Sequence, residues 1–302
     1  MGTFRYVTFV TFVLGFFVLC FANIYTAHSS IHLFLYLSRL HTIYSVTIIG
    51  VGVTEAGLAS SDTSGMKHLY ELLQFIYHHY YMSDSDDDKT DKQKICVIDM
   101  DNVPNNGTVI EQHMKELASS SSSEGGGDMG KFIQDHVVFL NTMVDRITSY
   151  RDDDTTNKMI PKCEPIPYKA LVVLDEDNTN LPKSFYDVPA NLGLHIRSTT
   201  QQLDMDVSLK LRIANGTHTA LAHVMALCSL LNTDELVKSK KRKQDQDLAP
   251  GTLLLQYIDS LYEYQIKTGA CIQFGIENEN EINATYDDWR KRLTHEYFGL
   301  ST

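Results

Sequence analysis

The stretch "KICVIDMDNVPNNG", residues 94–107, sets a run of apolar, mostly β-branched residues directly against a polar turn. Its first half, "KICVIDM", shows no polar alternation, which is what a strand buried on both faces requires and a half-solvated strand lacks. The arrangement recurs on either side. "SVTIIGVGV" (45–53) precedes the helical pattern "MKHLYELLQFIYHHY" (66–80), "KICVIDM" precedes a helix-like run to about Leu117, and "KALVVLD" (169–175) is a further buried-strand candidate. Buried strands interleaved with helices predict a parallel sheet covered on both faces, so the first half reads as α/β. From about Asp204 the period turns helical: "MDVSLKLRIANGTHTALAHVMALCSLLNT" and "GTLLLQYIDSLYEYQIKTG" space apolar residues by three and four, predicting a mostly α-helical second half.

The chain has 302 residues, 43% of them hydrophobic, enough for a sizeable core in one large or two ordinary domains. A net charge of −12, from 26 basic and 38 acidic residues, leaves no broad electrostatic footprint for nucleic acid and favours small-molecule or protein partners. Cys20, Cys96, Cys163, Cys228 and Cys271 are scattered, odd in number and without a CxxC pair, so neither a disulfide framework nor a structural zinc site is indicated. Three polar stretches, "SDSDDDKTDK" (83–92), "SSSSSEGGG" (119–127) and "KSKKRKQDQD" (238–247), read as solvated loops; the last also has the composition of a nuclear-localisation patch.

The N-terminus stands apart. Residues 6–27, "YVTFVTFVLGFFVLCFANIYTA", are uncharged and mostly apolar over 22 positions, against about 20 needed to cross a bilayer as a helix. A secretory signal would have a shorter apolar core and a small-residue cleavage site. The segment is therefore read as a transmembrane helix or, alternatively, as a core segment or the product of a mispredicted first exon.

Three polar clusters could carry chemistry. On an α-helix at about 100° per residue, His218 lies about 80° and Asn215 about 140° around from Lys210, so one broad face of "KLRIANGTH" (210–218) presents all three. A lysine can serve as general base and an asparagine amide can donate to a developing oxyanion; the same pattern also describes the polar edge of a packed helix. "DMDNVPNNG" (99–107) lies at the carboxyl end of a predicted strand, where open α/β sheets bind ligands, although a turn rich in Asn and Gly looks the same. In "MVDRIT" (143–148), Asp145 and Arg146 also suit a surface ion pair.

In order and spacing, "DNVPNNG", "MVDRIT" about 40 residues later and then K-x4-N-x2-H resemble the polyol-specific long-chain dehydrogenase/reductase family, the mannitol dehydrogenase and fructuronate reductase family, over roughly residues 46–302. The resemblance implies a partial Rossmann-like nicotinamide-binding domain (46–200), a partial helical substrate and catalytic domain (201–302), an atypical hydrophobic segment (1–45), and no catalytic metal. By match, Lys210 resembles the lysine that takes the alcohol proton. Asn102 and Asn215 resemble the two amides that hold the substrate oxygen. His218 resembles the histidine that contacts substrate and keeps the lysine in place, and Asp145 resembles the carboxylate near it. The implied activity interconverts a mannitol-like polyol and its keto sugar with NAD or NADP, in a cytoplasmic catalytic body; the alternative is a non-catalytic remnant, tethered to a membrane through residues 6–27.

Other dehydrogenase chemistries fit less well: no tyrosine has a lysine four positions later, and there is no HExxH or clustered Cys/His set. "GVGVTEAG" (50–57) has Glu55 where the third glycine of a dinucleotide fingerprint belongs, and it aligns with a later strand and turn of the family's cofactor domain. The family's glycine-rich phosphate loop has no counterpart in residues 1–45, and "YDDWRKRLTHEYFGLST" (286–302) resembles an internal segment, so the chain reads as truncated at both ends. Asn106, Asn215 and Asn283 head glycosylation sequons, and a glycan on Asn215 is incompatible with an oxyanion role.

Overall fold

The computed structural model describes residues 9–14, 17–22, 48–78, 94–120, 126–145, 148–149, 162–163, 168–227 and 250–293. Of the stretches read above as loops, 83–92 and 238–247 lie outside them; of 119–127 only 121–125 does, and its two ends are helical rather than loop.

Strands β3 (Ile48–Gly52), β4 (Ile95–Asp99) and β5 (Val137–Leu140) lie side by side and parallel, each separated from the next by helix: α1 (Ser64–Ile76) after β3, then α2 (Asn106–Ser120) and α3 (Gly126–His136) after β4. β4 is buried at all five positions, as its unbroken apolar run predicted. Alternation across the strands sorts side chains to two cores. Ile49, Val51, Ile95, Val97 and Val137 pack with the apolar stripes of α1, α2 and α3, including Met66, Leu73, Ile110, Met114 and Ile133. Ile48, Cys96, Ile98 and Leu140 point the other way and pack with Val173 and Leu181.

On the far side of β3 the sheet continues through β1 (Phe9–Leu14) and β2 (Phe17–Ala22), both antiparallel to their neighbours, giving the order β2-β1-β3-β4-β5. This corrects the expectation of a transmembrane helix over residues 6–27. Among the described residues no helix is long and apolar enough to cross a membrane, and residues 9–14 and 17–22 pair as extended chain. Its composition explains the difference: Phe, Val and Thr make up five of the six residues of β1, and Phe and Val three of the six of β2, and such residues suit a pleated ladder better than a helix.

A second sheet is built from β6 (Thr142–Val144), β9 (Leu171–Leu174) and β10 (Leu194–Arg197), with β9 parallel to β10 and antiparallel to β6, and the short helix α4 (Lys183–Tyr186) lies between β9 and β10 in the chain. A short ladder joins β7 (Thr148–Ser149) to β8 (Lys162–Cys163). Beyond β10 the chain is helical: α5 (Thr200–Leu209), a π-helical segment Lys210–Asn215, α6 (Gly216–Leu227), α7 (Pro250–Leu261), a second π-helical segment Tyr262–Ile266, α8 (Lys267–Phe274) and α9 (Glu279–Leu293). Their core gathers Leu209, Ile213, Leu221, Met225, Ile258, Ile282 and Trp289, with Tyr262 stacked on Tyr286 at 3.7 Å between ring centroids. The α/β-then-helical order matches the sequence expectation.

The chain divides into two compact units. The first comprises Met1–Val144, Leu171–Pro189 and Leu194–Thr200; the second comprises Asp145–Ala170, Ala190–Gly193 and Gln201–Thr302.

Candidate active site

In the first unit, the carboxyl ends of β3, β4 and β5 gather polar groups at one edge of the parallel sheet. Asp99, the last residue of β4, is fully buried; its Oδ1 accepts from the Val53 amide at 3.4 Å, while its Oδ2 has no hydrogen-bond partner. Burial, and to a lesser degree the nearby charge of Asp101, push its pKa up to about 7, against the opposing effect of the backbone N–H groups. The turn that follows carries Asn102, which is exposed and whose Oδ1 accepts from the Val144 amide at 3.2 Å. Asn106 opens α2 and is buried; its Nδ2 donates to the Thr142 hydroxyl at 2.8 Å and its Oδ1 accepts from the Thr142 amide at 2.9 Å. Gly107 lets α2 come close to β5, because a Cβ there would sit 2.5 Å from the Leu140 carbonyl carbon.

The edge has the buried orphan oxygen and neutral polar groups expected of a crevice that receives a ligand at strand ends. It does not have a glycine-rich phosphate turn: among the described residues, β3 reaches α1 through residues 53–63, whose single glycine is Gly57, and the Gly107 amide is already taken by the Asn106 side chain at 2.8 Å. A surface groove of about 720 Å³ runs elsewhere, along the outer face of α2, lined by Thr108, Glu111, Gln112, Lys115 and Glu116, and belongs to the solvated side of that helix.

In the second unit, Lys210, Asn215 and His218 sit where α5 passes through the π-helical turn into α6; Lys210 is half-buried and the other two are exposed. The Gly216 amide reaches back to the Leu211 carbonyl, the i→i+5 bond of a π-turn. Lys210 and Asn215 are five residues apart, so the wider turn stacks them on adjacent turns of one face, closer than the 140° or so of a regular α-helix. One turn before Lys210, Asp206 is fully buried and ion-paired with Lys169 at 2.6 Å; Lys169 also meets Glu281 at 2.5 Å. Asp145 pairs with Arg292 of α9 at 2.7 Å, and Arg292 also holds Asp288 at 2.8 Å. Arg146, the alternative partner of Asp145, lies outside the described residues. The sequons at Asn106 and Asn283 are committed to the fold, Asn106 by burial and Asn283 by accepting from the Tyr262 hydroxyl at 2.7 Å.

Sequence reasoning missed Asn106, Thr142, Lys169, Asp206 and Arg292. The signal for Asn106 was present in "NNG", next to the glycine of close approach. For Lys169 and Asp206, 37 residues apart, and for Arg292 and Asp145, 147 apart, sequence offers no local sign.

The model of the mannitol dehydrogenase Rossmann domain matches residues 41–182. Over these residues the chain is similar to that family. Two curated relatives, the uncharacterised oxidoreductases YeiQ and YdfI of Escherichia coli K12, are 25% identical over 154 residues and 26% over 179 residues, covering 48% and 54% of this chain. The matches span 29% and 34% of the relatives' own lengths, so the chain aligns with about a third of each. Among solved structures, mannitol 2-dehydrogenase of Pseudomonas fluorescens, in ternary complex with NAD and D-mannitol, matches with a TM-score of 0.52 and 17% identity over 93% of this chain and 57% of that one. D-sorbitol dehydrogenase in substrate-free form matches with a TM-score of 0.54 and 16% identity over 84% and 52%. These two likenesses establish the fold: a mannitol dehydrogenase Rossmann domain followed by a helical region. The family resemblance read from the three sequence motifs is borne out.

Proposed function

We propose that the protein is an NAD(P)-dependent oxidoreductase that interconverts a polyol and its keto sugar, with Lys210 as general base and no metal. The family of residues 41–182 supports the class, and the solved relative that carries NAD and D-mannitol supports cofactor and substrate type. The observation that carries the chemistry is the π-turn, which puts an amine and an amide on one face with His218 following on the next turn. In this reading the first unit is the cofactor domain and the second the substrate and catalytic domain. Asp99–Asn102 and Leu140–Thr142, at the carboxyl ends of β4 and β5, would line the nicotinamide side of the crevice.

When bound, the nicotinamide supplies the hydride acceptor. The chain's own residues handle the proton and the charge. The neutral Lys210 amine takes the proton of the reacting hydroxyl, while the amides of Asn102 and Asn215 donate to the oxygen as negative charge grows there. Neutral donors suit this task because they stabilise charge that exists mainly in the transition state. His218 hydrogen-bonds substrate and limits the swing of the Lys210 side chain. Asp145, matched to the family's carboxylate near the lysine and held in this structure by Arg292, would favour return of the lysine to its charged form.

The test is Lys210→Ala in the full chain. Loss of a general base costs about 10²- to 10⁴-fold in rate, so polyol oxidation should fall by at least about 10²-fold with helical content unchanged. An active Lys210→Ala variant would overturn the assignment. A second reading, a non-catalytic remnant of the family, draws support from β3 having the antiparallel β1 as its outer neighbour and from the lack of a phosphate turn among the described residues. It predicts no nucleotide affinity.

A further inference from the structure

An asparagine can stabilise an oxyanion only if its Nδ2 end faces the substrate, and the amide can turn by 180° at small cost unless something pins the other end. For Asn102 that pin is the Val144 amide, which donates to Oδ1 at 3.2 Å, while the residue as a whole is exposed. The pin is only as good as the geometry between the turn that carries Asn102 and the strand that carries Val144. Two buried side chains set that geometry. Asn106, at 0% exposure, and Thr142, at 5%, interlock through Nδ2 to Oγ1 at 2.8 Å and the Thr142 amide to Oδ1 at 2.9 Å. Each also reaches the turn: Asn106 Nδ2 lies 3.3 Å from the Asp101 carbonyl oxygen, and the Thr142 hydroxyl donates to the Asp99 carbonyl at 2.6 Å. The backbone just before Asn102 is thus tied to β6, the strand from which Val144 donates, directly at Asp99 and through Asn106 of α2 at Asp101.

We propose that Asn106 and Thr142 are positioning residues that hold the Asn102 amide with its N–H groups turned outward, toward the oxygen of the substrate. The proposal rests on the reading of Asn102 as an oxyanion donor. Buried, mutually satisfied polar side chains are costly to assemble and lose their advantage when one partner goes, so they mark a geometry worth fixing. A purely structural clamp would affect stability alone; a positioning clamp must act through Asn102.

The experiment compares the full chain with Thr142→Val, Thr142→Ser, Asn102→Ala and the double variant Asn102→Ala/Thr142→Val. One readout is the side-chain amide signal of Asn102 in a ¹⁵N–¹H NMR spectrum, assigned by its disappearance in Asn102→Ala. The other is NAD-dependent oxidation of D-mannitol. In the unaltered chain the Asn102 amide should stand away from the position of free asparagine amides. Thr142→Val should move it there, and Thr142→Ser, which keeps the hydroxyl, should restore it. Turnover should drop about tenfold to a hundredfold in Thr142→Val, recover in Thr142→Ser, and fall no further in the double variant than in Asn102→Ala. An unmoved Asn102 signal in a folded Thr142→Val chain, or losses that simply multiply in the double variant, overturns the proposal. Should Thr142→Val not fold, Asn106→Asp keeps the acceptor oxygens and loses the donors, and must release the same signal for the proposal to stand. A chain that never oxidises polyol sinks the functional reading, while the amide signal still decides the positioning role.

Discussion

Asp99 shows how one residue can set the pH response of a strand end. Its position in "KICVID" was legible as part of a buried strand, but a carboxyl group at zero exposure was not, because sequence does not reveal that the strand stays covered to its last residue. Burial raises its pKa from 3.8 to about 7, so the folded chain keeps a proton that the unfolded chain releases. The sign follows directly. Below about pH 4 both states are protonated and the group contributes nothing. Between about pH 4 and pH 7 the unfolded state ionises and the folded state does not, so stability falls as pH rises, by up to about 4 kcal/mol, and is flat above. Asp99→Asn keeps the shape and removes the proton. Urea midpoints at pH 5 and pH 8 should differ less in this variant than in the unaltered chain; an unchanged difference would mean that Asp99 is not the titrating group. Asp175 and Asp259 act at lower pH and with the opposite sign. Burial alone would raise their pKa values, but hydrogen bonds, from Tyr186 and Asn180 to Asp175 and from Arg290 and Tyr286 to Asp259, outweigh it and hold both below the usual range.

At the scale of elements, periodicity identified which segments are strand and which helix, and failed where backbone hydrogen bonding is decided by packing. The π-turn at Lys210–Asn215 is one such place: apolar spacing reads the same for an α-helix, yet one i→i+5 turn changes which polar residues share a face. The N-terminal stretch is another. Hydropathy counts apolar residues, whereas the Val, Thr and Phe content decides between helix and ladder. Glycines give the clearest test of element packing. Gly107 sits in α2 with the Leu140 carbonyl carbon and oxygen and the Asn141 nitrogen within 2.7 Å of where a Cβ would be, all of them backbone atoms that cannot rotate away. Gly269, inside α8, would meet nothing within 4 Å. Gly107→Ala should therefore destabilise by about 1–3 kcal/mol through overpacking, while Gly269→Ala should stabilise by about 0.5–1 kcal/mol through helix propensity. Thermal melts of the two variants check this directly: similar shifts of the same sign would contradict the close approach of α2 to β5.

At the scale of the molecule, the sequence announced two kinds of structure in order and was silent on what ties distant segments together. The buried charges of Lys169 and Asp206 and the half-buried Glu281 come from three separate stretches, and their pairing depends on a fold that no local pattern encodes. The same holds for the cofactor. Parallel β3, β4 and β5 form a polar carboxyl edge, but binding a dinucleotide needs the edge, the phosphate contacts and the substrate groups to close around one ligand. Whether this chain, aligned to about a third of each curated relative, closes that site is a property of the whole molecule. Titrating NADH and NADPH into the 302-residue chain while following nicotinamide fluorescence measures it. A closed site gives saturable binding and raises stability, by about 2.7 kcal/mol at a ligand concentration 100 times Kd, visible as a shift in Tm. The expected outcome is saturation by at least one of the two nucleotides together with that shift. A folded chain that binds neither would leave Lys210, Asn215 and His218 without a hydride acceptor and would make the remnant reading the correct one.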